Sequence, residues 1–381
     1  MINSIHLTHF KCFGNNTFPI SPLTILSGIN ASGKSTMLQS IALLHQSAVE
    51  HKFDESLALN GHTISLGYFE DIINKYTGRD VFAIEIELNE GTYSCSFKAD
   101  DKNAAVAIFD KGFWQQAKKS CTELLTPFHC ENPPKSLNDF VERLTRTTYL
   151  SAERNGPREV HQMDGSTMYR NVGPRGERTA WYIEMNQDKQ IHHKLRKKDY
   201  ASNFKRQVEA WMNEFFPGYQ MELSPVKRTN IVTLGLLTDS ATGYLRPQNI
   251  GFGLSYTLPI IAACLGAEPN DIILLENPEA HLHPRGQSLI GSFLALVAST
   301  GIQVIVETHS DHVLNGVRKA VKDKTIANSD VTLHFFRPSK ENEAPQVISP
   351  VIDAQGNVSE WPKGFFDQFD TDLEILTDWG N

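Results

Sequence analysis

The sequence carries no excess of positive charge: 36 Lys and Arg against 44 Asp and Glu give a formal charge of −8 over 381 residues. That balance excludes a global basic field of the kind that coats nucleic acid, though not a local basic groove. Cysteine is sparse. Cys12, Cys95, Cys121, Cys130 and Cys264 stand apart, without the spacing of a metal site or a disulfide framework, and a reduced, cytoplasmic setting is expected. Long apolar runs are missing, so no membrane span is expected. Residues 1–7 show no basic region followed by an apolar stretch, so no secretory leader is expected. No internal repeat or low-complexity linker stands out. A chain of this length can bury a large core as one big domain or two moderate ones.

What is present is dominated by one stretch. Gly28-Ile29-Asn30-Ala31-Ser32-Gly33-Lys34-Ser35-Thr36 satisfies G-x-x-x-x-G-K-[ST] at every required position. Residues 22–27 before it read as a short buried strand, and residues 36–44 after it as the start of an amphipathic helix. In such a strand–loop–helix the glycines let backbone N–H groups turn inward around a phosphate, and the helix N-terminus adds its positive end. Lys34 is placed to reach β- and γ-phosphates, and Ser35 to offer its hydroxyl to Mg²⁺. The sequence therefore predicts a nucleotide-binding protein.

In chain order, residues 2–10 alternate loosely and predict a first strand, with residues 10–13 turning into the strand before the phosphate loop. Residues 65–73 are a mixed stretch of loop and short helix. Residues 81–88 and 92–98 predict a hairpin turning at Asn89-Glu90-Gly91, and residues 104–109 extend it into a meander. A short helix is expected over 139–144 and a strand over 148–152. Two charged Gly/Pro loops follow, at residues 153–158 and 173–178; they serve either as ligand contacts at strand ends or as solvated turns. Lys194, Arg196, Lys197, Lys198, Lys205 and Arg206 make the densest basic region, expected on a helix, and read either as a nucleic-acid contact or as a solvated face.

Two later strands bring polar groups to one edge. Residues 271–276 form an apolar run ending in Glu276, and residues 303–307 a second run leading to His309. A carboxylate at such an end can hold the water shell of a phosphate-bound Mg²⁺. Glu279, His281 and His283 follow the first run, but their spacing is not the H-E-x-x-H of a zinc site.

Here the sequence resembles the ABC-type ATPases of the recombination and chromosome-maintenance (SMC-like) class. Within it, the likeness is to compact AAA-type ATPases with an ABC-like head and a C-terminal family domain of unknown function, as found in bacterial defence systems. The resemblance covers nearly the whole chain. It rests on the opening Leu7-Thr8-His9-Phe10-Lys11-Cys12-Phe13, on the phosphate loop, on residues 150–157 and 172–177, and on the tail Trp361-Pro362-Lys363-Gly364-Phe365-Phe366-Asp367. It implies an α/β, P-loop NTPase fold: an ABC-type head with a mixed sheet core, an antiparallel β subdomain and a helical insertion. The implied parts are the phosphate-loop part at 1–110, the insertion at 111–245, the signature and metal-side part at 246–335, and a C-terminal segment at 336–381.

Carried over by position, Glu276 matches the metal-side acid and His309 the switch histidine that meets the γ-phosphate. Asn277 falls where relatives place the glutamate that orients the attacking water. An amide can hold a water but cannot take its proton, so hydrolysis is expected to be slow, with Glu279 either substituting as base or merely capping a turn. Gly251, Gly253 and Ser255 fall on a variant signature segment, which in relatives closes over the ATP of a second subunit; the alternative for the glycines is tight packing at a turn. The resemblance thus implies ATP and Mg²⁺ as cofactors, a homodimer through the heads, and an effector partner such as a nuclease. No nuclease constellation is visible here: Asp367, Asp370, Asp372, Glu374 and Asp378 lack an ordered Lys partner. Two other readings stay open, an ATP-gated interaction module with negligible turnover and a clamp acting directly on DNA.

Overall fold

The computed structural model describes residues 1–50, 53–116, 121–162, 171–238, 243–338, 345–362, 372, 373 and 376. Three sheets organise the described chain. The first is built from β1 (Ile2–Phe10), β2 (Phe13–Pro19), β4 (Ser56–Ala58), β5 (Val81–Leu88), β6 (Gly91–Lys98), β7 (Val106–Gln116) and β8 (Cys121–Glu123), in the order β2-β1-β5-β6-β7-β4, with β8 also on β7. Every pairing in it is antiparallel. The hairpin forms where expected, with the turn shortened to Asn89-Glu90: Gly91 already pairs with Leu88 as the first residue of β6. The meander strand is longer than expected, running on to Gln116.

The second sheet holds the phosphate loop. It contains β3 (Leu23–Gly28), β9 (Thr148–Leu150), β13 (Ile272–Glu276), β14 (Gln303–Glu307), β15 (Val331–Arg337) and β16 (Gln346–Ile348), ordered β16-β15-β3-β14-β13-β9. Strands β15, β3, β14, β13 and β9 run parallel, and the edge strand β16 antiparallel. The sheet is therefore mixed, as expected. Its apolar strands are buried on both faces: Leu23, Ile25, Ile273, Leu275, Val304 and Val306 enter one cluster, and Leu26, Ile272, Leu274 and Ile305 the other. Helices α1 (Lys34–Glu50), α2 (Phe69–Ile72) and α3 (Lys135–Thr145) lie with the antiparallel sheet on one side.

The opposite side carries α4 (Thr179–Met185), α5 (Phe204–Phe215), α6 (Phe252–Gly266), α7 (Pro284–Ala298) and α8 (Asp311–Lys322). The third sheet, β10 (Val160–Gln162), β12 (Ile231–Leu237) and β11 (Gln220–Pro225), packs there as well. This antiparallel trio was not predicted; the insertion is helical and stranded together.

The basic region departs from expectation. It is not one helix: residues 193–195 form a 3₁₀ turn, and α5 begins only at Phe204. The cause is Gln207, fully buried, whose side-chain amide donates to the carbonyls of Lys197, Tyr200 and Ala201 and whose oxygen accepts from Lys197 N. These bonds hold residues 197–201 as a loop folded against α5. Several cations there have internal partners, Lys197 with Glu214 (3.0 Å) and Arg206 with Glu209 (2.8 Å). Of the tail motif, residues 363–367 lie outside the described residues, as do Asp367, Asp370, Glu374 and Asp378.

Candidate nucleotide site

Residues 28–36 pass from the carboxyl end of β3 into the first turn of α1. The backbone turns through left-handed conformations at Gly28 (φ +138°), Ala31 (φ +58°) and Gly33 (φ +97°). A side chain at Gly33 would also meet Cys12 Sγ and the Phe13 ring at 2.7 Å, so the glycine is needed twice over. Ser32 Oγ donates to Ile29 O at 2.6 Å and closes the loop. Asn30, Ala31, Ser32, Gly33, Lys34, Ser35 and Thr36 then line one pocket of about 390 Å³, together with Lys11, Cys12 and Glu307.

Lys34 is 3% exposed, its Nζ donating to the carbonyls of Gly28 (3.0 Å) and Ile29 (2.9 Å) and lying 3.8 Å from Glu307. Burial lowers its pKa, opposed by the Glu307 charge. Ser35 Oγ donates to Glu307 Oε2 at 2.7 Å. Burial raises the Glu307 pKa, the Ser35 bond and Lys34 lower it, and the Glu276 and Glu279 charges add to the rise.

Glu307 ends the strand expected over residues 303–307 but is not among the site residues expected from sequence. The signal was available: β14 ends in a carboxylate just as β13 does. What sequence alone could not supply was strand order. β14 lies between β3 and β13, with Glu307 in register with Leu26 on one side and Glu276 on the other, so Glu307 falls beside the phosphate loop.

Glu276 sits one strand further away. Its carboxylate accepts from Tyr149 Oη (2.7 Å) and Ala152 N (3.0 Å), and it lines a separate pocket of about 740 Å³ with Gln39, Ser151, Asn155 and Arg158. Asn277 adopts φ +45°, a left-handed conformation that asparagine tolerates better than glutamate does. Its residue type thus has a conformational reason independent of chemistry. Glu279 is fully engaged: Oε1 accepts from His309 N and Oε2 from Thr308 Oγ1, both at 2.8 Å. It ties the turn after β13 to the one carrying His309, whose pKa is lowered by burial and by the Lys34 charge.

Gly251, Gly253 and Ser255 lie apart from the phosphate-loop pocket, at the start of α6, where Gly251 is the N-cap. A Cβ at Gly253 would meet His281 O at 2.8 Å, whereas Gly251 faces open space. His281 packs on the rings of Tyr256 and Phe252 (centroids 4.6 and 5.3 Å), and His283 caps α7.

Comparison with known proteins agrees with this geometry. Residues 23–315 match the family described as "AAA domain, putative AbiEii toxin, Type IV TA system", and residues 326–376 match a "Protein of unknown function (DUF3696)". The chain is 20% identical over 361 residues to the Old nuclease of Escherichia phage P2, covering 87% of this chain; it spans about 60% of that relative's length. Its fold resembles the SmcHead bound to the C-winged helix domain of ScpA, at 12% identity and a TM-score of 0.56, covering 92% of this chain and 98% of that one. Among the described residues no helix is long and apolar enough to cross a membrane. The family model spans residues 23–315, including the phosphate loop and the strands β3, β9, β13 and β14, and the chain belongs to the AAA-domain family linked to toxin–antitoxin systems, an AAA/ABC-type ATPase domain joined to a C-terminal domain of unknown function.

Proposed function

We propose that this protein binds ATP with Mg²⁺ at the phosphate loop, hydrolyses it slowly, and uses the nucleotide to close two heads into a homodimer that serves an effector. The observation that carries the reading is the convergence of Lys34, Ser35 and Glu307 in one pocket at the N-terminus of α1. The donor set suits Mg²⁺. Ser35 Oγ and the Glu307 carboxylate are hard oxygens already within hydrogen-bond reach, the combination that holds this ion directly or through its waters. Bound there, the ion would neutralise charge developing on the phosphates.

The chain's own residues do the rest. Inward-turned amides of residues 30–35 and the Lys34 ammonium hold the phosphate oxygens. Glu279 keeps the His309 turn in place, and the Glu276 carbonyl and carboxylate fix the loop carrying Asn277. Without a carboxylate at 277 a lytic water is oriented but poorly deprotonated, which supports slow turnover. The start of α6 supplies the closing surface of the second subunit, with Gly251 open and Phe252 exposed. By its chemistry the effector we assign is a nuclease, in keeping with the name of the phage relative.

Direct DNA contact through residues 194–206 has less support, because cations of that region are paired internally. The ATP-gated module remains the competing reading. Calorimetry with ATP and Mg²⁺, single-turnover phosphate release and scattering test the set. Lys34→Ala is expected to abolish tight binding, and Gly251→Trp to prevent closure with binding retained. Wild-type affinity in folded Lys34→Ala would refute the site. Binding without phosphate release, alone or with DNA, would select the gated module.

A further inference from the structure

Arg154 was not singled out by the motif, and it makes an unusual set of bonds. It is 3% exposed. Its Nη1 donates to Ser151 O (3.0 Å) and Glu276 O (2.7 Å), and its Nη2 to Asn277 O (2.5 Å). Its guanidinium carbon stands 5.3 Å from the centre of the Tyr256 ring, in the second turn of α6. One planar cation thus touches three pieces of chain: the loop after β9, the turn after β13, and the signature helix. The turn it grips is under backbone constraint, with non-glycine φ values of +45° at Asn277 and +61° at His281. Strain of this kind persists only where surroundings over-determine it, and here they do. Asn277 N donates to Glu307 O (2.9 Å), the Arg154 fork takes the carbonyls of both 276 and 277, and His281 rests on Tyr256 and Phe252.

Among the described residues the Arg154 side chain hydrogen-bonds to carbonyl oxygens only, and the nearby Glu279 and Glu276 charges favour its cation against the cost of burial. Lysine could not replace it, because bonding two successive carbonyls from one cation placed over a tyrosine ring requires the forked guanidinium. We propose that Arg154 is a positioning residue that couples the N-terminal turns of α6 to the Asn277 turn, so that engagement of α6 by a second copy of this chain reaches the hydrolysis geometry. Arg154 touches neither the phosphate-loop pocket nor Lys34, so it acts on turnover and not on nucleotide grip. This inference rests on the ATPase reading above.

The test uses the full chain, with Arg154→Lys, Tyr256→Leu and the double variant. ATP affinity is expected to stay within about twofold of wild type, while single-turnover phosphate release falls by about 10- to 100-fold in Arg154→Lys, the scale on which a misplaced reacting group costs rate. The double variant is expected to be no slower than Arg154→Lys alone, since both changes cut one link. Hydrogen exchange without nucleotide is read in parallel: amides of 277–282 should exchange faster in both single variants, with those of α1 unchanged. Tyr256 is only half-buried, so its variant keeps the test alive if Arg154→Lys fails to fold. Wild-type exchange at 277–282 in the folded variants would overturn the proposal, as would equal losses of affinity and rate or strictly additive effects. A wild-type protein that releases no phosphate would refute the ATPase reading instead, and the exchange data would still decide the clamp.

Discussion

Exchanging Glu307 for glutamine separates the two carboxylates competing for the metal-side role. Glu307→Gln keeps an oxygen to accept from Ser35 Oγ but removes a charge 3.8 Å from Lys34 Nζ. At that separation, with the effective dielectric suited to such sites, the pair is worth about 4 kcal/mol of Coulomb attraction. Much of it is offset, because glutamine does not carry the burial cost that raises the Glu307 pKa, so the nucleotide-free protein should lose only about 1–2 kcal/mol. The effect on ligand has the opposite sign. Phosphates take over Lys34, and in wild type they then face an unneutralised carboxylate unless Mg²⁺ intervenes. Without that carboxylate, ATP in EDTA should bind about tenfold more tightly, about 1.4 kcal/mol, while the gain on adding Mg²⁺ should largely vanish. Fluorescent-nucleotide titrations in EDTA and in Mg²⁺ measure both. A Mg²⁺-dependent gain equal to wild type would refute the reasoning, and if Glu276→Gln alone abolished it, the metal-side acid would be Glu276, as the family resemblance implies.

Two further expectations concern the scaffold. His45 lies fully buried on α1 with Nδ1 donating to Leu144 O (2.6 Å), and burial pushes its pKa down to about 4. Because the folded value is the lower one, stability is complete above the unfolded pKa near 6.5 and is lost as pH falls towards 4; between pH 7.5 and 5 urea melts of His45→Asn should lose about 2 kcal/mol less than wild type, and parallel pH profiles would refute this. A Cβ on Gly316 of α8 would collide with the Ser288 carbonyl of α7, so Gly316→Ala should lose about 2–3 kcal/mol despite its better helix propensity, whereas Gly286→Ala, which meets only Leu282 side-chain atoms at ordinary distance, should not; equal melting temperatures for the two variants would contradict the packing argument.

The parts of the fold legible in the sequence are those whose cause is local. The β5–β6 hairpin is readable because alternation on both sides of a short Asn/Gly turn specifies it without help, and β13 and β14 because unbroken apolar runs mark buried parallel strands. β2 was not separated from β3: Phe13-Gly14-Asn15-Asn16-Thr17-Phe18 has weak strand character, and its pairing with β1 supplies the stability. The loop over 197–201 was read as helix because the residue that unwinds it, Gln207, acts from beyond it. The site divides in the same way. The loop residues 30–36 were legible as a contiguous motif and do line one pocket. Glu307 was not, because its place beside Ser35 depends on strand order, and strand order is set by pairing between segments nearly 300 residues apart.

The two apolar clusters explain why polar residues gather where they do. α1 and the antiparallel sheet belong to one cluster; α6, α7 and α8 belong to the other; alternate residues of β3, β13 and β14 enter each. Helix α1, which the phosphate loop leads into, and the start of α6 therefore lie on opposite faces of one buried sheet. A close-packed sheet transmits little graded motion through its middle, since its side chains cannot repack without loss. Communication between the faces is better carried around the carboxyl edge, where the chain leaves the strands. The bonds found there have that character: Arg154 to the Glu276 and Asn277 carbonyls and to Tyr256, Glu279 to the His309 turn, Ser35 to Glu307. Arg154 joins the loop after β9 to the turn after β13 and to α6, Glu279 joins the turns after β13 and β14, and Ser35 joins α1 to the end of β14. Substitutions inside either cluster should accordingly change stability while leaving the response to nucleotide intact, and substitutions along the edge should change that response with little effect on stability.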